Sequence, residues 1–424
     1  MMATIVTNLQ EERNQKGLVM QNLSKERKVV VRCVTNAQTA ESVSVQGDKH
    51  VLHMLPASIV NSEVISILAR GNVIDLKKLV IEVRKMRQLG VEITAKNLAI
   101  SQDAYVIMPW HIQLEKLYEE MQDVSFPYKA VLGVQLCYEE KAKGKGIQVS
   151  DLFQEDVLLD KIDKLAAEYN KMLREYMEPV SVFETYVTYF NWAKLIRQFV
   201  CDTSKILFNV PEDSILLEGE LLENVEVDKM LSPDSTSSCP MASLACTGAG
   251  YYPKDTLNSI GVIKPYLTKK VTGRFATEIF GKQKDILVTL GHEYRDLDCE
   301  ALRCGWIELP RLSQVVRENQ IDSLIITNLD VIGHLGEIKI CMGYQFNDIF
   351  TFSLVSENSE YDPVYYTFQG GWNLTGEETT WEELPDRAKY FVLCISSFVG
   401  VPVSYVEINH EQGQLLKVSV KSSK

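Results

Sequence analysis

Residues 322–331 read DSLIITNLDV. The apolar run at 324–326 stops abruptly at polar residues, which is typical of a buried strand in a parallel sheet. Ligands bind such sheets just beyond the carboxyl ends of the strands. Asp330 therefore stands where a carboxylate could read the edge of a guanine base. The stretch raises the question of whether this chain still binds a purine nucleotide.

The rest of the chain shows the two hydrophobic periodicities of an α/β protein. No internal repeat, low-complexity tract or Pro-rich linker divides it, so we expect one large α/β domain over residues 1–424. Small and polar residues at 232–250 predict a loop. Short β-branched runs predict strands at 3–7, 29–34 and 51–55, and further strands are predicted in the last third of the chain. Helices are predicted within 59–89, from Trp110 to about Met121, over about 155–203 and near 384–396.

The composition is that of an ordinary globular protein with an acidic balance. The net charge is −13, which argues against a broad surface for nucleic acid or anionic membrane. No apolar run reaches membrane-spanning length and no secretory signal is evident, so we expect a cytoplasmic protein. Nine cysteines form no C-x-x-C pair, and six histidines offer no zinc spacing. The pattern predicts reduced thiols and no metal site.

Motifs along the whole chain resemble the adenylosuccinate synthetase family. In chain order they are VLHMLPASI (51–59), YEEKAKGKGI (138–147), DSTSS (234–238), TGRFATEIF (272–280), HEY (292–294), RCGW (303–306), TNLDVIGHLGEIKIC (327–341), PVYYTFQGGW (363–372) and SSFVGVP (396–402). The resemblance implies a single large, mostly parallel sheet flanked by helices, related to P-loop NTPases and usually in a homodimer. Its members are ligases of purine biosynthesis that join IMP to aspartate using GTP and magnesium, through a phosphorylated IMP.

The phosphate loop that the resemblance implies is degenerate. The family motif GDEGKGK falls on residues 12–18, where only Lys16 and Gly17 match. Arg13 occupies the position of the aspartate that serves the family as general base and magnesium ligand. A guanidinium stays protonated and has no lone pair, so it cannot accept a proton or coordinate magnesium. We interpret Lys16 as an exposed lysine beside a turn.

The second catalytic motif of the family, NAGHT, falls on residues 38–42 and is also changed. Gln38 takes an IMP-binding position, and Glu41 replaces the histidine that acts as acid during phosphoryl transfer. A carboxylate there adds negative charge where the transition state already carries it. Glu41 and Arg13 could exchange roles as base and stabiliser, but we favour a plain surface pair.

Three residues still fit substrate contacts that the resemblance assigns. Thr236 matches a threonine near IMP, and Lys145 stands where an arginine reaches the IMP of the neighbouring subunit. Arg303 fits an arginine of the aspartate site, although a structural salt bridge explains it equally well. The loops around these positions differ from those of the family. The glycine-rich loop that the resemblance assigns to IMP is shortened to VLGVQL at 131–136, and residues 295–303 contain acidic side chains that would repel an aspartate substrate.

On the guanine side, only one family residue remains. The resemblance assigns the base contact to Asp330, whereas Asn328 replaces the lysine that packs on the base. The family's SGP turn falls on residues 407–410 and is lost. A strand-end turn therefore explains Asp330 better than a surviving base contact.

The losses fall in phosphate, metal and substrate loops, while core patterns persist. We therefore predict a catalytically inactive family member with a structural, binding or regulatory role, without a cofactor and with weak nucleotide binding at most. The alternative is an active adenylosuccinate synthetase that uses magnesium and other residues. We expect either a homodimer or a heterodimer with an active relative, in which Lys145 completes the partner's site.

Overall fold

The computed structural model describes residues 2–10, 15–34, 40–121, 133–219, 242–253, 257–269, 274–294, 300–346, 349–352 and 361–419. The strands of these ranges are β1 (Thr4–Asn8), β2 (Val29–Arg32), β3 (Glu41–Val45), β4 (Asp48–Leu52), β5 (Ile65–Leu68), β6 (Val73–Ile74), β7 (Leu98–Ser101), β8 (Tyr105–Val106), β9 (Val200–Cys201), β10 (Ile215–Glu218), β11 (Asn258–Ile263), β12 (Tyr266–Lys269), β13 (Arg303–Trp306), β14 (Ser323–Ile326), β15 (Glu337–Phe346), β16 (Ile349–Thr351), β17 (Asp362–Gln369), β18 (Val403–Asn409) and β19 (Gln414–Lys417). The α-helices are α1 (Lys16–Leu23), α2 (Leu76–Gln88), α3 (Pro109–Met121), α4 (Val134–Ala142), α5 (Glu155–Leu173), α6 (Val182–Ile196), α7 (Thr203–Phe208), α8 (Ala242–Ala249), α9 (Lys282–Gly291), α10 (Leu309–Glu318), α11 (Leu329–Gly333) and α12 (Asp386–Val399).

The large sheet confirms the fold class. Its ten strands follow the order β19-β18-β14-β11-β1-β10-β2-β5-β7-β9, and helices flank it. The pairs β10–β2, β2–β5, β5–β7, β7–β9, β11–β14 and β14–β18 are parallel, whereas β19 runs antiparallel to β18 at the edge. Continuous runs of β-branched residues form the inner strands because both faces of such a sheet are covered.

The chain forms two compact units, and the first draws on residues 1–5, 23–220 and 224–257. Its core contains the fully buried side chains of Val29, Val31, Ile67 and Leu217. Arg32, at the end of β2, lies in this interior. Its guanidinium donates two hydrogen bonds to one carboxylate oxygen of Glu218 and another to the carbonyl of His53. The strand predicted at 29–34 is confirmed over 29–32 and ends at Arg32, the residue that forms the buried ion pair with Glu218.

The strand predicted at 51–55 is wrong beyond Leu52. Residues 48–52 form β4, which pairs with β3 in a separate hairpin. The backbone N–H groups of His53, Met54 and Leu55 then donate to the carboxylate of Glu82 on α2. Burial opposes charge on this carboxylate, but these bonds and one from the His53 ring lower the pKa of Glu82. The backbone N–H groups that would pair with a neighbouring strand therefore bond the side chain of Glu82 instead.

The helix predicted within 59–89 covers only the part from Leu76 to Gln88. Residues 65–68 form β5 in the large sheet, between β2 and β7. The carboxylate of Asp75 accepts a hydrogen bond from the backbone N–H of Lys78, which caps the start of α2. Because Asp75 is a good N-cap residue, the sequence does carry the signal for this start.

The other helix predictions are mostly confirmed. α3 and α12 match the predicted helices, while the long stretch at 155–203 divides into α5 and α6 around Pro179. Ser181 caps α6 by accepting the backbone N–H of Glu184. Two predicted loops are wrong within the described residues, because 242–249 form α8 and α4 begins at Val134.

The second unit draws on residues 6–22, 221–223 and 258–424. Its core packs strand residues such as Leu324 and Val406 against aromatic rings of Trp306, Trp372 and Phe391. The predicted strand of the opening stretch is confirmed as β14, whose residues Leu324–Ile326 are fully buried. Among the described helices, none combines the length and apolarity needed to cross a membrane. The expectation of one domain stays a prediction.

Candidate functional site

Three of the predicted site residues, Arg13, Gln38 and Thr236, lie outside the described residues. Glu41 is described, and it begins β3 opposite Leu52. It is only 5% exposed, so the interpretation of Glu41 as part of a surface pair is wrong. Glu41 shares one face of β3 with Val43 and Val45, and all three are buried, so the alternation of ESVSV carries a local signal for this burial.

Lys16 and Gly17 begin α1, the first helix after β1. Lys16 is 1% exposed, so its interpretation as an exposed lysine is wrong. The backbone N–H of Val19 bonds to the carbonyl of Gln15 and closes the first turn. The remaining N–H groups of a helix start, together with a buried ammonium, favour negative charge nearby. The nucleotide-binding role of Lys16 and Gly17 stays a prediction.

Lys145 lies on the surface after α4. Its ammonium is 3.1 Å from the carboxylate of Glu168 on α5, and both side chains are half exposed. Such pairs contribute about 0–1 kcal/mol, so this contact fixes the side chain weakly.

Arg303, at the start of β13, is held by Glu278. Its Nε and Nη2 donate to the two carboxylate oxygens at 2.8 and 2.6 Å. This fork raises the pKa of Arg303, mainly through its hydrogen bond to Glu278. The guanidinium also lies 5.5 Å from the ring centre of Phe275. The salt bridge that was the alternative explanation of Arg303 is therefore present, and its contact with aspartate stays a prediction.

Asp330 follows β14 in the short helix α11. Asn328 joins the two in the left-handed conformation (φ 54°), which asparagine tolerates, and its backbone N–H donates to Glu407 at 2.9 Å. One carboxylate oxygen of Asp330, Oδ2, accepts the backbone N–H of His410 at 3.0 Å and lies 2.7 Å from its Nδ1. Burial opposes the charge, but the contacts with His410 lower the pKa of Asp330. This carboxylate holds the β18–β19 turn in place, which supports the local explanation of Asp330.

A buried polar network beside α11 was not predicted. The ammonium of Lys264 lies 2.9 Å from Glu293 and 2.8 Å from the hydroxyl of Thr268. Tyr266 donates to the same Glu293 oxygen at 2.7 Å and accepts from the amide of Asn328 at 3.1 Å. Burial and the charge of Glu293 raise the pKa of Tyr266 well above its ordinary value. A lysine inside the apolar run VIKPY was the available sequence signal.

Gly291 makes room for this network. A Cβ at this position would lie 2.5 Å from the hydroxyl of Tyr266 and 3.2 Å from Cγ of Glu293. Any larger residue would force the tyrosine away from its partners. Close packing against Tyr266 and Glu293 therefore explains why a glycine precedes the HEY motif.

Adenylosuccinate synthetases are magnesium-dependent, and the described residues of the β1–α1 connection do not supply the carboxylate ligand that this ion prefers. Arg13 replaces the aspartate ligand with a cation. Residues 9–10 and 15, the described parts of the β1–α1 connection, carry no carboxylate, whereas Glu11 and Glu12 lie outside the described residues. The side-chain amide of Gln10 donates to the carbonyl of Lys264 and accepts from its backbone N–H. Magnesium prefers carboxylates and water as ligands. We assign no magnesium-dependent step to these residues.

The fold and the order of motifs define the class: an α/β protein built on a ten-stranded, mostly parallel sheet, with Lys16 at the first helix start. The sequence profile of the family described as Adenylosuccinate synthetase matches residues 10–416. An adenylosuccinate synthetase from Clostridium botulinum (strain Alaska E43 / Type E3) is 31% identical over 426 residues and 99% of each chain. One from Halothermothrix orenii is 33% identical over 407 residues and 93% of each chain.

A solved structure shows the same fold. Fully ligated adenylosuccinate synthetase from Plasmodium falciparum superimposes with a TM-score of 0.86 at 24% identity, over 98% of this chain and 100% of that chain. The chain belongs to the adenylosuccinate synthetase family.

Proposed function

We propose that this chain is a family member that has lost the synthetase reaction and acts as a binding or regulatory protein on the retained scaffold. One pattern supports this: polar residues kept at substrate positions bond within the chain. Arg303 is forked onto Glu278, and Asp330 holds His410. Groups that would otherwise meet substrates stabilise local structure instead.

The chemistry at the two catalytic positions supports the same proposal. Arg13 cannot take a proton from IMP, because a guanidinium remains protonated at neutral pH. Glu41 is buried at the position of the family's acid. A carboxylate there opposes the charge that develops on a transferring phosphoryl group. The reaction thus loses both its base and its acid.

The alternative function is adenylosuccinate synthesis from IMP, aspartate and GTP with magnesium, the first committed step from IMP to AMP. One observation favours it: Lys16 is buried at the start of α1, as a phosphate-binding lysine would be. Because the match extends over nearly the whole chain, this alternative deserves a direct test.

The test is a synthetase assay of the purified chain with IMP, aspartate, GTP and magnesium, beside the Clostridium botulinum relative as positive control. We expect no detectable adenylosuccinate, since loss of a positioned acid or base alone costs about 10²–10⁴-fold. Turnover that survives repurification and disappears in Arg13→Ala or Glu41→Ala would establish the active alternative instead.

Nucleotide binding is tested separately by calorimetry with GTP and ATP, each with magnesium. We expect weak or absent binding of both, because Asp330 and Glu407 are engaged with His410 and Asn328. Tight GTP binding that Asp330→Ala weakens more than ATP binding would show a surviving guanine site and contradict this expectation.

We further propose that the chain forms a dimer, with itself or with an active relative, and takes neither nucleic acid nor membrane as partner. The segment YEEKAKGKG (138–146), at the end of α4, keeps the family's interface pattern. Sedimentation at micromolar concentration tests this, with capture from cells to detect a relative. A monomer that captures no relative would refute it.

In a mixed dimer, Lys145→Glu should lower the IMP affinity of the active subunit and leave its GTP affinity unchanged. Lys143→Glu, an exposed charge reversal two residues away, is the matched control. Equal losses of both affinities in Lys145→Glu would show a disturbed fold rather than a contact with IMP.

A further inference from the structure

Two histidines and a carboxylate meet in the second unit, beside the contact between Asp330 and His410. Nε2 of His292, at the end of α9, lies 2.7 Å from Oε1 of Glu411. Nε2 of His410 lies 3.0 Å from the same oxygen. One ligand atom from each of the three residues lies within 4.8 Å of the others. The side chains of His292 and Glu411 are 59% and 49% exposed, whereas His410 is 12% exposed.

The proton positions at His410 restrict what this cluster can hold. Nδ1 of His410 lies 2.7 Å from Oδ2 of Asp330, so that nitrogen must carry a proton to bond the carboxylate. A neutral imidazole has only one N–H, and its Nε2 then presents a lone pair to the oxygen of Glu411. A lone pair and a carboxylate repel each other at 3.0 Å. The gap between them therefore favours a positive centre, either a second proton or a metal cation.

The surroundings favour a metal cation. His292 brings a second imidazole to the same carboxylate oxygen, and two histidines with one carboxylate are a common ligand set for zinc. Asp330 bonds the distal nitrogen of His410, as carboxylates do behind metal-bound histidines, and it sets the tautomer that leaves Nε2 as ligand. Imidazole ligands select zinc and neighbouring transition metals over magnesium and calcium.

We propose that His292 Nε2, His410 Nε2 and the Glu411 carboxylate bind one divalent cation of the zinc class, with Asp330 as the residue that positions His410. Zinc–nitrogen bonds of about 2.0–2.1 Å place tetrahedral ligand atoms about 3.3 Å apart. The separations of 2.7 and 3.0 Å must therefore open by about 0.3–0.6 Å, and the two histidine nitrogens, which lie within 4.8 Å of each other, must come to about the same spacing. The exposed side chains of His292 and Glu411 can make this adjustment, while His410 stays anchored. Water completes the coordination on the exposed side.

The binding test uses the full chain without an affinity tag, stripped with EDTA and titrated with zinc chloride by calorimetry. We expect one zinc ion per chain. His410→Ala and His292→Asn should each weaken binding by at least about tenfold, and Asp330→Asn by about 10–100-fold, as for groups behind metal-bound histidines. His50→Ala, a histidine of the first unit, is the matched control and should bind as the wild type does.

Cobalt distinguishes this site from the cysteines. Co²⁺ in the proposed site should give visible absorption without a thiolate charge-transfer band, and Glu411→Gln should alter that spectrum. His292 and Glu411 are exposed, so their variants should keep the wild-type circular dichroism.

Zinc binding that persists in the His292→Asn/His410→Ala double variant would overturn the proposal. A cobalt spectrum dominated by thiolate would do the same, and so would a silent titration, which would leave a proton as the occupant. None of these readouts depends on synthetase turnover. The test of the metal site is therefore independent of the proposed loss of catalysis.

Discussion

His292 and Glu293 are consecutive residues that belong to two different polar clusters. Glu293 points inward, where it bonds Lys264 and Tyr266, and Tyr266 continues to Asn328. His292 points outward to Glu411, which also faces His410 and through it Asp330. The two clusters therefore use the same two segments of chain, 292–293 and 328–330.

The two clusters differ in their exposure to solvent, so we expect substitutions in them to change stability by different amounts. In the inner network, every partner is buried, so removing one leaves a charge or a donor without water to replace it. In the outer cluster, His292 and Glu411 keep half of their surface in water, which can take over a lost contact. Burial, rather than the number of bonds, should decide which cluster stabilises the fold and which can bind an ion.

The largest effect is expected for Lys264→Met, which leaves the buried carboxylate of Glu293 without its cation. We expect the free energy of unfolding to fall by about 3–5 kcal/mol, measured by urea denaturation. Lys145→Met, in an exposed lysine–glutamate pair, is the matched control and should cost about 0–1 kcal/mol. Equal losses in the two variants would remove the contrast between buried and exposed pairs.

A smaller loss is expected for Tyr266→Phe, which keeps the ring but removes one hydroxyl from the inner network. Glu293 loses a donor and the amide of Asn328 loses an acceptor, so we expect a loss of about 1–3 kcal/mol in the same measurement. The double variant with Lys264→Met should cost less than the sum of the two, because both act on Glu293. Strict additivity would show that the network is not coupled.

Asp330→Asn should cost about 1–2 kcal/mol at neutral pH, measured in EDTA, because its bonds to His410 involve a charged acceptor. The pKa of Asp330 is lowered in the folded chain, so its charge stabilises the fold above the unfolded value of about 4. The wild-type advantage over the variant should shrink as the pH falls below about 4, where Asp330 takes up its proton. An advantage that grows as the pH falls below about 4 would reverse the assigned direction.

The smallest effect is expected for His292→Asn in EDTA, because the side chain is exposed and asparagine tolerates the left-handed backbone of this position (φ 52°). We expect a change within about 0.5 kcal/mol. Added zinc should raise the midpoint of thermal unfolding of the wild type but not of this variant. Equal zinc stabilisation of both proteins would separate His292 from the metal.

Much of the fold could be predicted from short-range pattern. The apolar runs of β1, β2 and β14 and the periodicity of α3, α5 and α12 depend on neighbouring residues, so the sequence carried them. The segment at 59–75 was wrongly predicted as helix because a short apolar run such as that of β5 can form either a strand or part of a buried helix. Only its pairing with β2 and β7 in the folded chain shows that it is a strand. α8 and the start of α4 were missed because small residues and glycine usually indicate loops.

Of the candidate site, the chemistry of single residues was predictable and their surroundings were not. Reading Arg13 and Glu41 against the family motifs required only their identities. The burial of Lys16 and Glu41 contradicted both surface interpretations. The alternation of ESVSV carried a local signal for Glu41, whereas the burial of Lys16 depends on distant parts of the chain. The salt bridge of Arg303 was a stated alternative, yet its partner Glu278 could be named only from the structure.

Residue types and their local order were enough to predict the family and the parallel sheet, and the resemblance places Arg13 and Glu41 at the positions of the family's base and acid. Which polar groups meet depends on the tertiary structure. His292 and Glu411 are 119 residues apart and show no metal-binding spacing, yet β14, α9 and the β18–β19 turn bring them together with His410. Electrostatic contacts act over a few ångströms in space. Folding can bring together residues that are far apart along the chain, and their spacing in the sequence does not indicate the contact.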